Sequence, residues 1–297
     1  MTCPKRTFVL LALVVAAWAS SGCTVLQPTP RIERVVVFGD SNVDNGNLFR
    51  MSASKVPAPP NWQGRNGNGP VVVEHLAEIL GARLESHAVS GATTGTTNIV
   101  SRSRPEFAHL ERSGMSMQID SAITNGLRFS QLDLVVVWAG SNDIFGASRQ
   151  KEAELRSAIS TAANNVEDAI VRLNKLGAVR FVVGNRTPRE RLGTENDLNG
   201  VDLNKSLAEA VARARGKTSA SVKLFDAYSA VADMMTRPNQ YGFTEVSTLC
   251  ISVPACANDS STLSYPVART YVNWDAAHKT THVHKLLAEQ IEQILQR

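Results

Sequence analysis

Leu134-Val135-Val136-Val137-Trp138 is an unbroken apolar run with no polar residue in alternation. A strand with one wet face alternates apolar and polar side chains. A run without alternation suits a strand covered on both faces, as at the centre of a parallel sheet flanked by helices. Four further runs have β character: Val35–Phe38, Arg83–Ala88, Arg180–Val183 and Val222–Phe225. Between them lie segments of helical period. Residues 71–80 place Val72, Leu76, Ile79 and Leu80 on one face, 152–176 form a long helix ended by Gly177, and 203–214 and 282–296 follow. This alternation predicts an α/β protein, a three-layer α/β/α sandwich around a central parallel sheet of about five strands. No internal repeat or low-complexity linker interrupts it, so residues 34–297 are expected to form one domain.

Functional groups of an open parallel sheet gather beyond the carboxyl ends of its strands. Three separate stretches bring small or polar residues there: Gly39-Asp40-Ser41 after the first strand, Ser90-Gly91-Ala92 after the second, and Gly140-Ser141-Asn142-Asp143 after the central run. A serine hydroxyl needs a base to take its proton before it can attack. Downstream, Asp275 and His278 stand three apart, a spacing that brings both side chains to one side of a turn. The carboxylate can then hold the imidazole in the tautomer that accepts the serine proton. Of the six histidines (75, 87, 109, 278, 282 and 284), His278 alone has this upstream aspartate. Alone, Gly-Asp-Ser fits an N-cap serine as well as a nucleophile; the accompanying blocks decide for the nucleophile. Asp40 and Asn42 favour a tight turn or helix start, which is expected to expose the Ser41 hydroxyl at a helix N-terminus.

The order of these blocks, Ser41, Gly91, Asn142 and His278 with Asp275, resembles the GDSL (SGNH) family of serine esterases and lipases. Asn66-Gly67-Asn68-Gly69-Pro70-Val71 resembles the family's stretch before its first helix, and Ala88–Gly95 and Val136–Asp143 resemble its second and third blocks. Tyr241-Gly242-Phe243 followed by Cys250 resembles a lipase/haemolysin-like branch of larger secreted members. The resemblance spans about residues 34 to 294 and implies a flavodoxin-like sandwich. It also implies an oxyanion hole made by the Ser41 N–H, the Gly91 N–H and the Asn142 side chain, donors aimed at the charge that attack builds on a carbonyl oxygen. Two departures stand out. Lys279 replaces the proline of the family's His-Pro-Thr and is expected to loosen that loop. Arg186 and Arg189 stand where the branch is more apolar, which bears on substrate preference.

The N-terminus reads as an export leader, with Lys5-Arg6 as its charged region and an apolar stretch of 11 residues, Phe8–Trp18, too short to span a bilayer comfortably. Two cleavage sites compete. Ala17-Trp18-Ala19 suits simple release. Ser20-Ser21-Gly22-Cys23 resembles a bacterial lipobox, in which residues 1–22 are removed, Cys23 is lipidated and 23–33 form a tether. An uncleaved tethering helix is the third reading. Of four cysteines, Cys3 leaves with the leader. Cys250 and Cys256, six apart in a loop with Pro and Ser, read as a local disulfide in an oxidising compartment, and Cys23 is left over. This favours an exported, membrane-anchored lipoprotein, with a periplasmic or secreted form as the alternative.

The formal charge of +4 falls to about +2 without Lys5 and Arg6, and no long basic block suggests nucleic acid. No metal or cofactor is expected. Asp40–Gly46 invites a calcium-loop reading, but an EF-hand needs Gly where Asn45 stands and Glu where Met51 stands. His278, His282 and His284 lack supporting ligands at metal-binding spacing. The expected function is hydrolysis of a small-molecule or lipid carboxylic ester through a Ser-His-Asp triad. Rivals on the same site are removal of acetyl groups from cell-wall or capsular polysaccharide and acyl transfer; a lipoprotein that merely binds is the non-enzymatic rival. Leu48-Phe49 and Ile144-Phe145 lean toward longer acyl chains.

Overall fold

In the computed structural model the described residues are 31–261 and 266–297. The leader and Cys23 lie outside them. Ile32 is buried and the Glu33 N–H donates to Leu132 O at 2.9 Å, so ordered packing begins within the segment expected as a tether.

Five parallel strands form the central sheet: β1 (Arg34–Gly39), β2 (Arg83–Ser86), β3 (Asp133–Trp138), β4 (Arg180–Gly184) and β5 (Ser221–Phe225), in the order β2-β1-β3-β4-β5. All six residues of β3 are buried, as its unbroken apolar run demands. Between the strands come α1 (Asn47–Met51), α2 (Val72–Leu80), α3 (Ile99–Ser103), α4 (Met115–Thr124), α5 (Glu152–Lys175) and α6 (Glu195–Lys217). After the sheet come α7 (Ala227–Thr236), β6 (Glu245–Leu249), α8 (Pro254–Ala257), β7 (Tyr271–Asn273) and α9 (Thr281–Leu295).

Strand side chains alternate between the two faces, so the sheet builds two cores. On one face Val36, Phe38, Val135, Val137, Phe181 and Val183 pack under α4, α5 and α6. On the other, Val35, Val37, Leu134, Val136 and Val182 pack under α2, α7 and α9. That is the expected three-layer sandwich with five parallel strands. α5 meets its core through Leu155, Ile159, Ala162, Val166, Ala169, Ile170 and Leu173, a stripe of period 3.6. Its acidic first turn and basic last turn complement the helix dipole.

α6 starts earlier than expected, and α4, β6 and β7 are among the elements not expected from the sequence. α6 begins at Glu195 rather than near Leu203, because the Thr194 hydroxyl accepts from the Asp197 N–H and caps the first turn. α4 carries an interrupted apolar stripe, since its buried Gln118 is polar. β6 and β7 form a second, two-stranded parallel sheet. Beside it Cys250 and Cys256 form a disulfide, Cα atoms 5.2 Å apart, which packs with Trp274 and Ala268 in a small core of its own.

Candidate active site

The chain leaves β1 at Gly39, and Gln118 of α4 clamps that end: its Oε1 accepts from Gly39 N at 3.0 Å and its Nε2 donates to Gly39 O at 2.9 Å. Ser41 follows in a turn held by buried Asp40, whose Oδ1 accepts from the Asn42 N–H at 3.1 Å and the Asn42 Nδ2 at 2.9 Å. Ser41 does not stand at a helix N-terminus as expected. The next helix, α1, starts only at Asn47, because the Asp44 carboxylate captures the Gly46, Asn47 and Leu48 N–H groups that would otherwise begin it earlier. Asp44 Oδ2 also accepts from Ser90 N at 2.7 Å and Ser90 Oγ at 2.8 Å. One fully buried carboxylate therefore fastens the turn after β1 to the loop after β2.

Asp275 and His278 lie in the loop between β7 and α9. Asp275 Oδ1 accepts from the N–H groups of Ala277 at 2.7 Å and His278 at 2.8 Å, which folds the loop so that the imidazole turns back. His278 Nδ1 then lies 2.8 Å from Asp275 Oδ2, and His278 Nε2 lies 2.9 Å from Ser41 Oγ. Burial alone would raise the Asp275 carboxyl. The facing His278 and the donors from Ala277 and His278 outweigh it and hold the group below the usual carboxylate range. The acid is thus an anion when the imidazole needs it.

Gly91 and Asn142 arrive from the loops after β2 and β3. Gly91 adopts φ +82°, the left-handed region, and a Cβ there would meet Asn98 Oδ1 at 2.5 Å. Asn142 Nδ2 donates one hydrogen to Ala92 O at 2.9 Å, leaving its second uncommitted. Its neighbour Asp143 accepts from Thr94 N at 2.9 Å and Thr94 Oγ1 at 2.6 Å, tying the two loops together. Burial pushes that carboxyl up to about 6. A cavity of about 190 Å³ opens over Ser41, Gly91, Asn142 and His278. Among the described residues neither the Ser41 N–H nor the Gly91 N–H has an acceptor. A carbonyl placed in the cavity would find a hydroxyl with a base behind it, and unpaired N–H donors beside it.

The profile of the GDSL-like lipase/acylhydrolase family matches residues 35–291, nearly all of the chain. The chain belongs to that family. It is accordingly a carboxylic ester hydrolase. It is 26% identical to a phosphatidylcholine-sterol acyltransferase of Aeromonas hydrophila, the match covering 96% of this chain and 95% of that one. It is 24% identical to a thermolabile hemolysin of Vibrio parahaemolyticus, covering 91% of this chain and 65% of that one. Among solved structures, a G-D-S-L family lipolytic protein of Veillonella parvula DSM 2008 superposes with a TM-score of 0.52 at 13% identity, over 89% of this chain and 99% of that one. It speaks for the shared fold.

Against the GDSL pattern, Lys279 does not loosen its loop. It is fully buried, its Nζ donates to Asn273 Oδ1 at 2.5 Å, and its backbone bridges to Asn273, so it pins the turn that carries His278. Burial lowers its ammonium to about 7. Asp44 and Gln118 escaped sequence reasoning as positioning residues. Asp44, three residues after the serine, was a visible signal; Gln118, inside a weakly periodic helix, offered none. Arg186 and Arg189 both line the cavity.

Proposed function

We propose that this GDSL-family chain is an exported serine esterase or lipase. Ser41 attacks the ester carbonyl, and His278 Nε2 takes the hydroxyl proton and returns it to the departing alkoxide. Asp275 holds the imidazole and offsets the charge it gains. The Ser41 N–H, the Gly91 N–H and the free hydrogen of Asn142 receive the oxyanion. Water attacks the acyl-serine with His278 again as base, releasing the acid and restoring the hydroxyl.

The observation that carries this reading is the unbroken run from Asp275 through His278 to Ser41, 2.8 and 2.9 Å, opening onto a cavity with unpaired N–H donors. Leu48, Ile99 and Val100 give that cavity an apolar wall, which favours acyl chains longer than acetyl over acetylated polysaccharide. Acyl transfer to an alcohol instead of water is a second reading, favoured by similarity to an acyltransferase along almost the whole chain. Export rests on the leader and on the disulfide. Cys23, outside the described residues, is the proposed lipid attachment; no helix among the described residues is long and apolar enough to cross a membrane.

Ser41→Ala tests the proposal. It should abolish hydrolysis of p-nitrophenyl esters with an unchanged melting temperature, and a fluorophosphonate should label Ser41 alone in the wild type. Labelling elsewhere, or near-normal turnover by the variant, would sink it.

A further inference from the structure

The cavity is asymmetric. Of the residues that line it, Ile99 donates its N–H to Gly91 O at 2.9 Å, Val100 lies against Gly91 and Leu48 packs in the same apolar cluster, whereas Arg189 is tied to the loop that carries His278 and Arg186 lies near Arg189. The Arg189 guanidinium is fixed to the catalytic loop, its Nη1 donating to Ala276 O at 3.3 Å, and its Nε is buried without a partner. Arg186 is 5% exposed; its Nη1 and Nη2 donate to Asn196 O at 2.8 Å and Asn196 Oδ1 at 3.0 Å. Room for it exists because α6 carries Gly200 opposite: a Cβ there would sit 1.8 Å from Arg186 Nη1. A mid-helix glycine costs about 1 kcal/mol relative to alanine, so the seat is built at the helix's expense.

Among the described residues, neither guanidinium has a carboxylate within ion-pair distance. The neighbouring carboxylates are engaged elsewhere. Asp275 holds His278, and Asp197 accepts from the N–H groups of Arg189 and Gly193 and from the Tyr228 hydroxyl. Glu190, next in sequence, makes no ion pair with Arg189. Burial and the nearby Arg189 lower Arg186 only to about 10, so it stays a cation at neutral pH. Arg186 is buried and Arg189 half-buried beside it, with nearby carboxylates but no ion pair among the described residues; holding a buried guanidinium unpaired next to a second cation is costly, and an anionic ligand would offset that cost.

We propose that Arg186 and Arg189 form an anion subsite for the alcohol half of the substrate, so that this enzyme prefers neutral aliphatic acyl esters of alcohols bearing a carboxylate or phosphate. The orientation follows from the chemistry. His278 must reach the leaving oxygen to return its proton, so the alcohol lies on the arginine side and the acyl chain against Leu48, Ile99 and Val100. This assignment rests on the esterase reading. Arginine presents a planar fork of donors suited to either oxyanion.

The test uses matched pairs of esters: 4-(butyryloxy)benzoate against its neutral methyl ester, and 1-butyrylglycerol 3-phosphate against 1-butyrylglycerol. Hydrogen bonds to charged groups are worth enough for a preference of roughly 10- to 100-fold in kcat/KM for the anionic member. Preference in the first pair identifies a carboxylate, in the second a phosphate, and in both a general oxyanion site; each supports the proposal. Equal rates, or preference for the neutral members, overturn it. Arg189→Gln should bring the ratio of anionic to neutral kcat/KM to within about threefold of unity. Arg186→Lys, which keeps charge but loses the fork, should reduce the ratio partway. A ratio that survives in both variants, each folded by its melting curve, overturns the assignment to these residues. Binding to the Ser41→Ala protein by calorimetry separates the two claims. A roughly tenfold or greater affinity advantage for the anionic ester supports the subsite even if the wild type hydrolyses neither member, and equal affinity refutes it even if hydrolysis is fast.

Discussion

Asn142 offers the most discriminating perturbation of the proposed chemistry. Its amide has two N–H hydrogens, one held by Ala92 O at 2.9 Å and the other without an acceptor among the described residues, and the residue lines the cavity. Asn142→Ala removes one of three donors to the oxyanion, an interaction that strengthens only as charge develops. In a comparable site such a loss costs about 10²–10³ in kcat, or ~2.7–4 kcal/mol. The structural cost is separable and smaller: one hydrogen bond to Ala92 O, about 0.5–1.5 kcal/mol of stability. The expected result is a melting temperature lowered by a few degrees, KM nearly unchanged and kcat reduced by about two to three orders of magnitude. Asn142→Asp sharpens the test. It keeps the shape but sets an acceptor and a negative charge against both Ala92 O and the oxyanion, so kcat should fall further than in the alanine variant. Steady-state kinetics with p-nitrophenyl butyrate, beside thermal melts, would measure both. A rise in KM with kcat intact would refute the reasoning, because Asn142 would then bind the ground state only. Equal kcat in the Ala and Asp variants would refute it too.

Three further outcomes are expected. The buried Lys279, lowered to about 7 from an unfolded value near 10.4, leaves the folded state short of a proton between those limits. The unfolded chain then binds more protons, so this group makes stability rise with pH from about 7 to about 10, and Lys279→Met should flatten that rise by about 1.4 kcal/mol per pH unit in urea titrations; an unchanged slope would place the ammonium in water. Cys250→Ser/Cys256→Ser opens a loop of few residues, so chain entropy accounts for only ~2–3 kcal/mol. Because the bridge packs on Trp274 beside Asp275, the rate of fluorophosphonate labelling should fall as well; an unaffected rate would show that the triad loop stands without it. Cys23→Ser should move active enzyme from the detergent phase to the aqueous phase, since two acyl chains anchor stably and none does not; a natural N-terminus at Ser20 with unmodified cysteine would exclude the anchor.

What was legible in the sequence was what short-range periodicity and residue chemistry encode. The apolar run of β3 can be stable only between two helical layers, and the helical stripe of α5 repeats often enough to be read directly. Ser41, Gly91, Asn142, Asp275 and His278 could be singled out because each stands at the end of a strand or in a turn, with a side chain or N–H of particular chemistry. Their meeting over 237 residues of chain was an inference; the 2.9 Å between Ser41 Oγ and His278 Nε2 is a property of the folded sheet.

Other features depended on partners distant in the chain. α6 reaches back to Glu195, eight residues before the helix read from the sequence, because Thr194 caps the turn, and Gly200 within it leaves the space that Arg186, just beyond β4, occupies. Asp44 stood in the sequence only within a calcium-loop pattern that failed; its role appears when Ser90 meets it from the next loop. Lys279 was expected to loosen a loop because a local pattern carries proline's rigidity but not the location of Asn273, the acceptor that lets a lysine be buried. Burial and the satisfaction of buried polar groups are decided by residues far away in sequence, so one chain's local pattern specifies strands, helices and reactive groups, while tertiary packing alone decides which charges lose their water and what they then await.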